Sequence, residues 1–143
     1  FESEARARKA DAIIFQSGSN DALYEGSPEN VWIKPDQFKQ NLEEIIKRAK
    51  GMTEHILFLG FKNCDESKTM PVSWGGFYYA NKNLKKYNEI MKKICEEQNV
   101  LFLDLDPLDN DEFDDGLHPN AKGHERIFQK VKDLLIQQRW IAY

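Results

Sequence analysis

No stretch of this sequence stays apolar for the roughly 20 residues that a helix needs to cross a bilayer, so no membrane span is expected. Phe1 to Lys9 is charged and without an apolar core, which does not read as a secretory signal. Positive charge is not in excess: 20 Lys and Arg stand against 24 Asp and Glu, for a net charge of −4. A mildly acidic surface gains nothing from a phosphate backbone, so nucleic acid is not an expected partner. Cysteine is scarce. Cys64 and Cys95 make no disulfide framework and form no Cys-x-x-Cys pair, which leaves zinc and redox readings without support. Two reduced thiols near a core lean toward a cytoplasmic setting, although a signal peptide could precede Phe1. Internal repeats and low-complexity segments are absent.

What is present is an ordinary globular composition, with 41% hydrophobic and 31% charged residues. Residues 1–143 fit one domain, large enough to remove roughly two-thirds of its unfolded surface from water. Three short apolar runs stand out: Ala12-Ile13-Ile14-Phe15, Ile56-Leu57-Phe58-Leu59 and Val100-Leu101-Phe102-Leu103. They are continuous rather than alternating, as expected of parallel strands covered on both faces. Amphipathic helical stripes lie between and after them. Phe38, Leu42, Ile45, Ile46 and Ala49 form the first, closed by Gly51; Leu84, Tyr87, Met91, Ile94 and Cys95 form the second; Ile127, Val131, Leu134 and Leu135 form the third, after Asn120. Residues 2–10 read as a helix leading into the first strand. The alternation predicts an α/β domain with right-handed crossovers. Three strands are few for a parallel sheet, so one or two further strands are expected before Phe1, making the domain truncated at its N-terminus.

In open α/β sheets the ligand lies beyond the C-terminal ends of the strands, so the residues just after each apolar run are the place to look for chemistry. The first run leads into Gln16-Ser17-Gly18-Ser19-Asn20-Asp21. Glycine permits a tight turn, and the Asn20 amide would stand at the strand tip as a donor for a developing oxyanion; the same residues are also common turn formers. The third leads into an acidic loop and then Asp115-Gly116-Leu117-His118-Pro119-Asn120. Pro119 keeps His118 out of the helical region and fixes where the last helix begins. Asp115, three residues before His118, can hold one imidazole nitrogen and leave the other to act as a general base. An Asp and a His capping a helix is the plainer reading of the same residues.

Gly18-Ser19-Asn20-Asp21 after a buried strand, with Asp115-Gly116-Leu117-His118-Pro119 before the last helix, resembles the SGNH hydrolases, also called GDSL esterases and lipases. The likeness extends over nearly all of the sequence. It implies a three-layer αβα sandwich with a flavodoxin-like parallel sheet. It also implies a serine acylhydrolase with Asn20 as oxyanion donor, His118 as base and Asp115 as its orienting partner. The implied partner is a small-molecule ester, whether simple, lipid, acylated sugar or thioester. No cofactor and no metal are implied, since acyl transfer by Ser-His-Asp requires neither. The family's Gly-Asp-Ser nucleophile segment and its glycine loop are missing from these residues. This sequence alone is therefore expected to be nearly inactive.

The segment Thr69 to Tyr79 is rich in aromatics and glycine. Trp74 and Phe77 are read from it as candidate substrate-binding residues, with packing of the loop onto the domain as the other reading. Tyr24 and Trp32, in the loop after Asn20, admit the same two readings. Two further classes remain open. Asp104 and Asp106 superficially match the Asp-x-Asp of Mg²⁺-dependent phosphatases, but too little chain follows them and Pro107 replaces the usual hydroxyl residue. A non-catalytic module with an SGNH-like fold would have no need to keep Asn20, Asp115 and His118 together. The acidic run from Asp104 to Asp115 lacks the glycine of a calcium loop and reads as solvated. His55 and His124 receive no role.

Overall fold

The computed structural model describes residues 1–142. Its centre is a three-stranded parallel sheet in the order β1-β3-β5, formed by β1 (Ala12–Phe15), β3 (His55–Leu59) and β5 (Leu101–Leu103). Ala12 pairs with His55 and Phe15 with Phe58, while Leu57 pairs with Leu101 and Leu59 with Leu103. Each crossover carries a helix: α2 (Pro35–Lys50) between β1 and β3, and α4 (Asn81–Glu97) between β3 and β5. A third, α5 (Ala121–Gln137), follows β5; a short α1 (Glu2–Arg8) precedes β1 and a four-residue α3 (Glu66–Thr69) follows β3.

Hydrophobic spacing decides which face each helix turns to the sheet. Phe38, Leu42, Ile46 and Ala49 of α2 are buried, as are Leu84, Tyr87, Met91, Ile94 and Cys95 of α4. These two stripes pack on one sheet face with Ile56 and Phe58. The opposite face presents Leu57, Leu59 and Leu105, against which Ile127, Val131, Leu134 and Leu135 of α5 are packed. Helices on both faces of a parallel sheet make the three-layer αβα sandwich that the resemblance implies. Burying a side chain such as Leu57 or Phe58 contributes about 1.5–3 kcal/mol each.

Two details differ from the expectation. The third strand starts at Leu101 rather than Val100. Asn99 takes a left-handed φ of 51° and turns the Val100 amide back to the Cys95 carbonyl at the end of α4. Burial on both faces holds only for the central strand: β3 is buried from Ile56 to Leu59, whereas in β1 Ile14 is 43% exposed. A central strand has neighbours on both sides, and β1 is an edge whose outer hydrogen-bonding side pairs with no strand among the described residues.

A feature the sequence did not announce is a small antiparallel ribbon of β2 (Tyr24–Glu25) and β4 (Phe77–Tyr78). Tyr24 and Tyr78 stack across it at 5.1 Å. The ribbon joins the loop after β1 to the loop after β3, above the C-terminal ends of the strands. Among the described residues no helix is long and apolar enough to cross a membrane.

Candidate active site

The segment from Phe113 to Asn120 leaves the sheet and returns as α5. A bridge between Phe113 and Pro119 closes it, and the Asp114 amide donates to the His118 carbonyl at 2.9 Å. Inside this loop Asp115 Oδ1 accepts the backbone amides of Leu117 (2.9 Å) and His118 (2.8 Å). Its other oxygen, Oδ2, lies 2.7 Å from His118 Nδ1. The carboxylate therefore fixes both the backbone and the ring of the same histidine. Partial burial acts to raise the Asp115 pKa, but the amides of His118 and Leu117 and the imidazole outweigh it, and the carboxyl falls to about 2. With Nδ1 held this way, Nε2 is the nitrogen left for chemistry. The His118 side chain is 66% exposed.

Other segments hold the loop in place. Gly116 adopts a φ of 90°, and its carbonyl accepts the amide of Asp65 at 2.8 Å. Lys62, just beyond β3, donates Nζ to the Leu117 carbonyl at 2.5 Å and lies 5.5 Å from the Phe113 ring centre. Asn120 caps α5, accepting the amides of Lys122 and Gly123. The capping reading is therefore true of Asn120, whereas Asp115 is engaged with the histidine.

On the other side, Gly18 turns the chain after β1 with a φ of 109°. A Cβ there would stand 2.9 Å from the Phe38 ring, so glycine is required twice, by conformation and by space. Ser19–Ala22 then form a 3₁₀ turn that carries Asn20 into solvent at the strand tip. Asn20 Oδ1 accepts the hydroxyl of Tyr79 at 2.9 Å. A cleft of about 50 Å³ lies between this loop and the histidine loop, lined by Ser17, Ser19, Lys62 and Leu117 among others.

The aromatic candidates divide. Trp74 is half exposed and its ring centre lies 5.8 Å from that of His118. Phe77, in the ribbon, instead meets Trp32 of the loop before α2 edge-on at 5.1 Å. The acidic run is largely solvated, as expected: Asp104, Asp106, Asp109, Asp111 and Asp114 are exposed, and Glu112 alone is buried. Asp104 is held by Asn88 and Lys92, Asp106 by Lys130, and Asp111 by Lys122. Glu112 is buried and paired with Arg126 at 2.5 Å. Lysine partners on Asp104 and Asp106 leave the phosphatase alternative without geometric support. His55 opens β3 against Trp140, and His124 lies exposed on α5.

Residues 1–126 match the GDSL-like lipase/acylhydrolase family. The chain belongs to this family. It is 26% identical, over 90% of its length, to an acetylxylan esterase from Xylanibacter ruminicola, of which the match spans 29%. A lipase/acylhydrolase from Enterococcus faecalis shares its fold with a TM-score of 0.77 at 18% identity, covering 96% of this chain and 67% of that one. An acetylxylan esterase from Geobacillus stearothermophilus does so at 0.64 and 19% identity, covering 91% and 61%. The chain thus spans under a third of its curated relative. The likeness to these solved structures establishes the αβα fold, and the match over residues 1–126 establishes the family.

Sequence reasoning overlooked Lys62 and the Tyr79–Asn20 contact. Lys62 was within reach, because it lies just past the second strand and the rule of reading strand ends applies there equally. The Tyr79 contact spans 59 residues and has no sequence signature.

Proposed function

We propose that this chain supplies the acid–base and oxyanion components of a serine acylhydrolase that cleaves short acyl esters. The Asp115 Oδ2 to His118 Nδ1 contact of 2.7 Å, within a chain of this family, carries the reading. In this mechanism a serine Oγ attacks the ester carbonyl carbon while His118 Nε2 takes its proton. The Asn20 amide donates to the oxyanion that forms. Collapse expels the alcohol, which takes its proton from His118, and leaves an acyl-serine. Water then attacks the acyl-serine, again losing a proton to His118, and the acid departs as the serine is reprotonated. Asp115, held ionised by its hydrogen bonds, stabilises the imidazolium at both stages.

On this reading the serine comes from a segment outside these 143 residues. They contain no Gly-Asp-Ser, and among the described residues no serine hydroxyl bonds the His118 ring. The open edge of β1 is suited to receive such a segment as a further parallel strand. An apolar cavity of about 310 Å³ adjoins it, lined by Phe15, Gly18, Phe38 and Phe58 among others. For the substrate, the small cleft lined by Ser17, Ser19 and Leu117 and the half-exposed Trp74 near His118 favour an acetyl ester of a sugar over a long acyl chain. The acetylxylan esterase relatives support the same choice.

The test is the intact mass of the complete protein before and after a fluorophosphonate. One adduct, lost in His118→Ala together with turnover of an acetylated xylo-oligosaccharide, is expected. No adduct and no turnover would leave a non-catalytic module of the same fold.

A further inference from the structure

An oxyanion donor made from an asparagine has an intrinsic fault. The two ends of its amide are nearly the same shape, and rotation about the last torsion exchanges a hydrogen-bond donor for an acceptor. With the carbonyl toward the reacting centre, the residue would repel the charge it is meant to hold. Asn20 is exposed on a 3₁₀ turn, and among the described residues its side chain has one hydrogen-bond partner, Tyr79.

We propose that Tyr79 is the positioning residue that fixes this choice. Its hydroxyl donates to Asn20 Oδ1 at 2.9 Å and so leaves the Nδ2 protons facing away from the phenol, free to meet a ligand oxygen. The assignment rests on the reading of Asn20 as the oxyanion donor. Tyr79 is suited to the task because it is itself immobile. It is 6% exposed, its amide donates to the Thr69 carbonyl at 3.0 Å, and its carbonyl accepts the Thr69 hydroxyl at 2.9 Å. The Cys64 thiol reaches the same carbonyl at 3.3 Å. Thr69 and Cys64 are both buried. A rigid buried cluster thus delivers one hydroxyl to one atom of an exposed side chain. Burial raises the phenol pKa, which keeps the hydroxyl a donor. The same loop sets the Trp74 ring beside His118, so residues 69–79 touch both halves of the site.

Tyr79→Phe keeps the ring and removes only the donor. In the complete protein, with p-nitrophenyl acetate as substrate, kcat is expected to fall about 10-fold with KM within about twofold. This is a fraction of the roughly 100-fold or more that loss of a whole oxyanion donor costs. The decisive comparison is the pair with Asn20→Ala: the double variant is expected to be no slower than Asn20→Ala alone, because Tyr79 acts through Asn20. In the complete protein labelled with ¹⁵N-asparagine, the Asn20 side-chain amide, assigned by its loss in Asn20→Asp, is expected as one sharp pair that shifts and broadens in Tyr79→Phe. Unchanged kcat in Tyr79→Phe, multiplying effects in the double variant, or an unmoved amide signal would overturn the proposal. Failure of the hydrolase reading is separate: it would show as no turnover, or as turnover that His118→Ala and Asn20→Ala leave intact, and the amide signal would still report whether Tyr79 fixes the Asn20 side chain.

Discussion

Lys62 places its ammonium 2.5 Å from the carbonyl oxygen of Leu117, the residue that precedes His118. An ammonium anchored from β3 therefore sets the backbone of a loop that β5 and α5 alone would leave loose. Burial lowers the Lys62 pKa more than its anionic neighbours raise it, so this anchor sits in a poorly solvated place. Lys62→Met keeps the aliphatic stem and strips the donor. It is expected to cost about 1–3 kcal/mol of stability through the carbonyl left without its partner, measured by urea denaturation. A loss under about 0.5 kcal/mol, the size of an ordinary surface change, would show that water replaces the lysine.

Gly116 governs the same loop through its conformation. Its φ of 90° disfavours any side chain, and a Cβ would stand 2.7 Å from Lys68 Cβ and 3.2 Å from the Asp65 carbonyl. Gly116→Ala is expected to destabilise the chain by about 1–3 kcal/mol and to broaden the His118 ring resonances. Sharp, unshifted resonances with an unchanged unfolding midpoint would contradict this account.

The Asp115 carboxyl makes a prediction about acid. Its folded pKa of about 2 lies below the ordinary 3.8, so the folded state favours the ionised form. The stability this adds is complete above the ordinary value and is lost as pH falls through about 2. Asp115→Asn has no such dependence. The gap in unfolding midpoint between the two proteins is therefore expected to be constant above about pH 4 and to narrow steadily toward pH 2. A gap that persists at pH 2 would mean that the Asp115 contacts do not require its charge.

Glu112 is a carboxylate with 3% side-chain exposure whose main cationic partner is Arg126. It also accepts the Asp109 amide at 2.8 Å, and its carbonyl accepts the Asn120 amide at the start of α5. Arg126→Met would leave that charge without its cation. The expected loss is about 3 kcal/mol, the lower end for a broken buried pair because the guanidinium is 42% exposed. Adding Glu112→Gln should recover part of it, and a double variant no better than Arg126→Met would refute the ion-pair explanation.

The range of each interaction sets how much of the fold and the site was legible in the sequence. The αβα order was readable because a buried strand and an amphipathic helix differ in hydrophobic period, a local property. The Asp115–His118 pair was readable for a similar reason: three residues separate the partners, and Pro119 limits the backbone between them. The partners of the acidic run were not readable, because the cations that pair it, Lys92, Lys122, Arg126 and Lys130, come from α4 and α5.

The sequence by itself determined the three sheet strands, the helices between and after them with their apolar stripes, and the chemical character of residues 18–21 and 115–119. Only the tertiary structure decided that Lys62 holds Leu117, that Trp74 stands beside His118, and that Tyr79 reaches Asn20 across 59 residues. Periodicity and turn chemistry act between neighbours in the chain. These contacts depend on where loops from different strands end, which is fixed only once the sheet and its helices have packed.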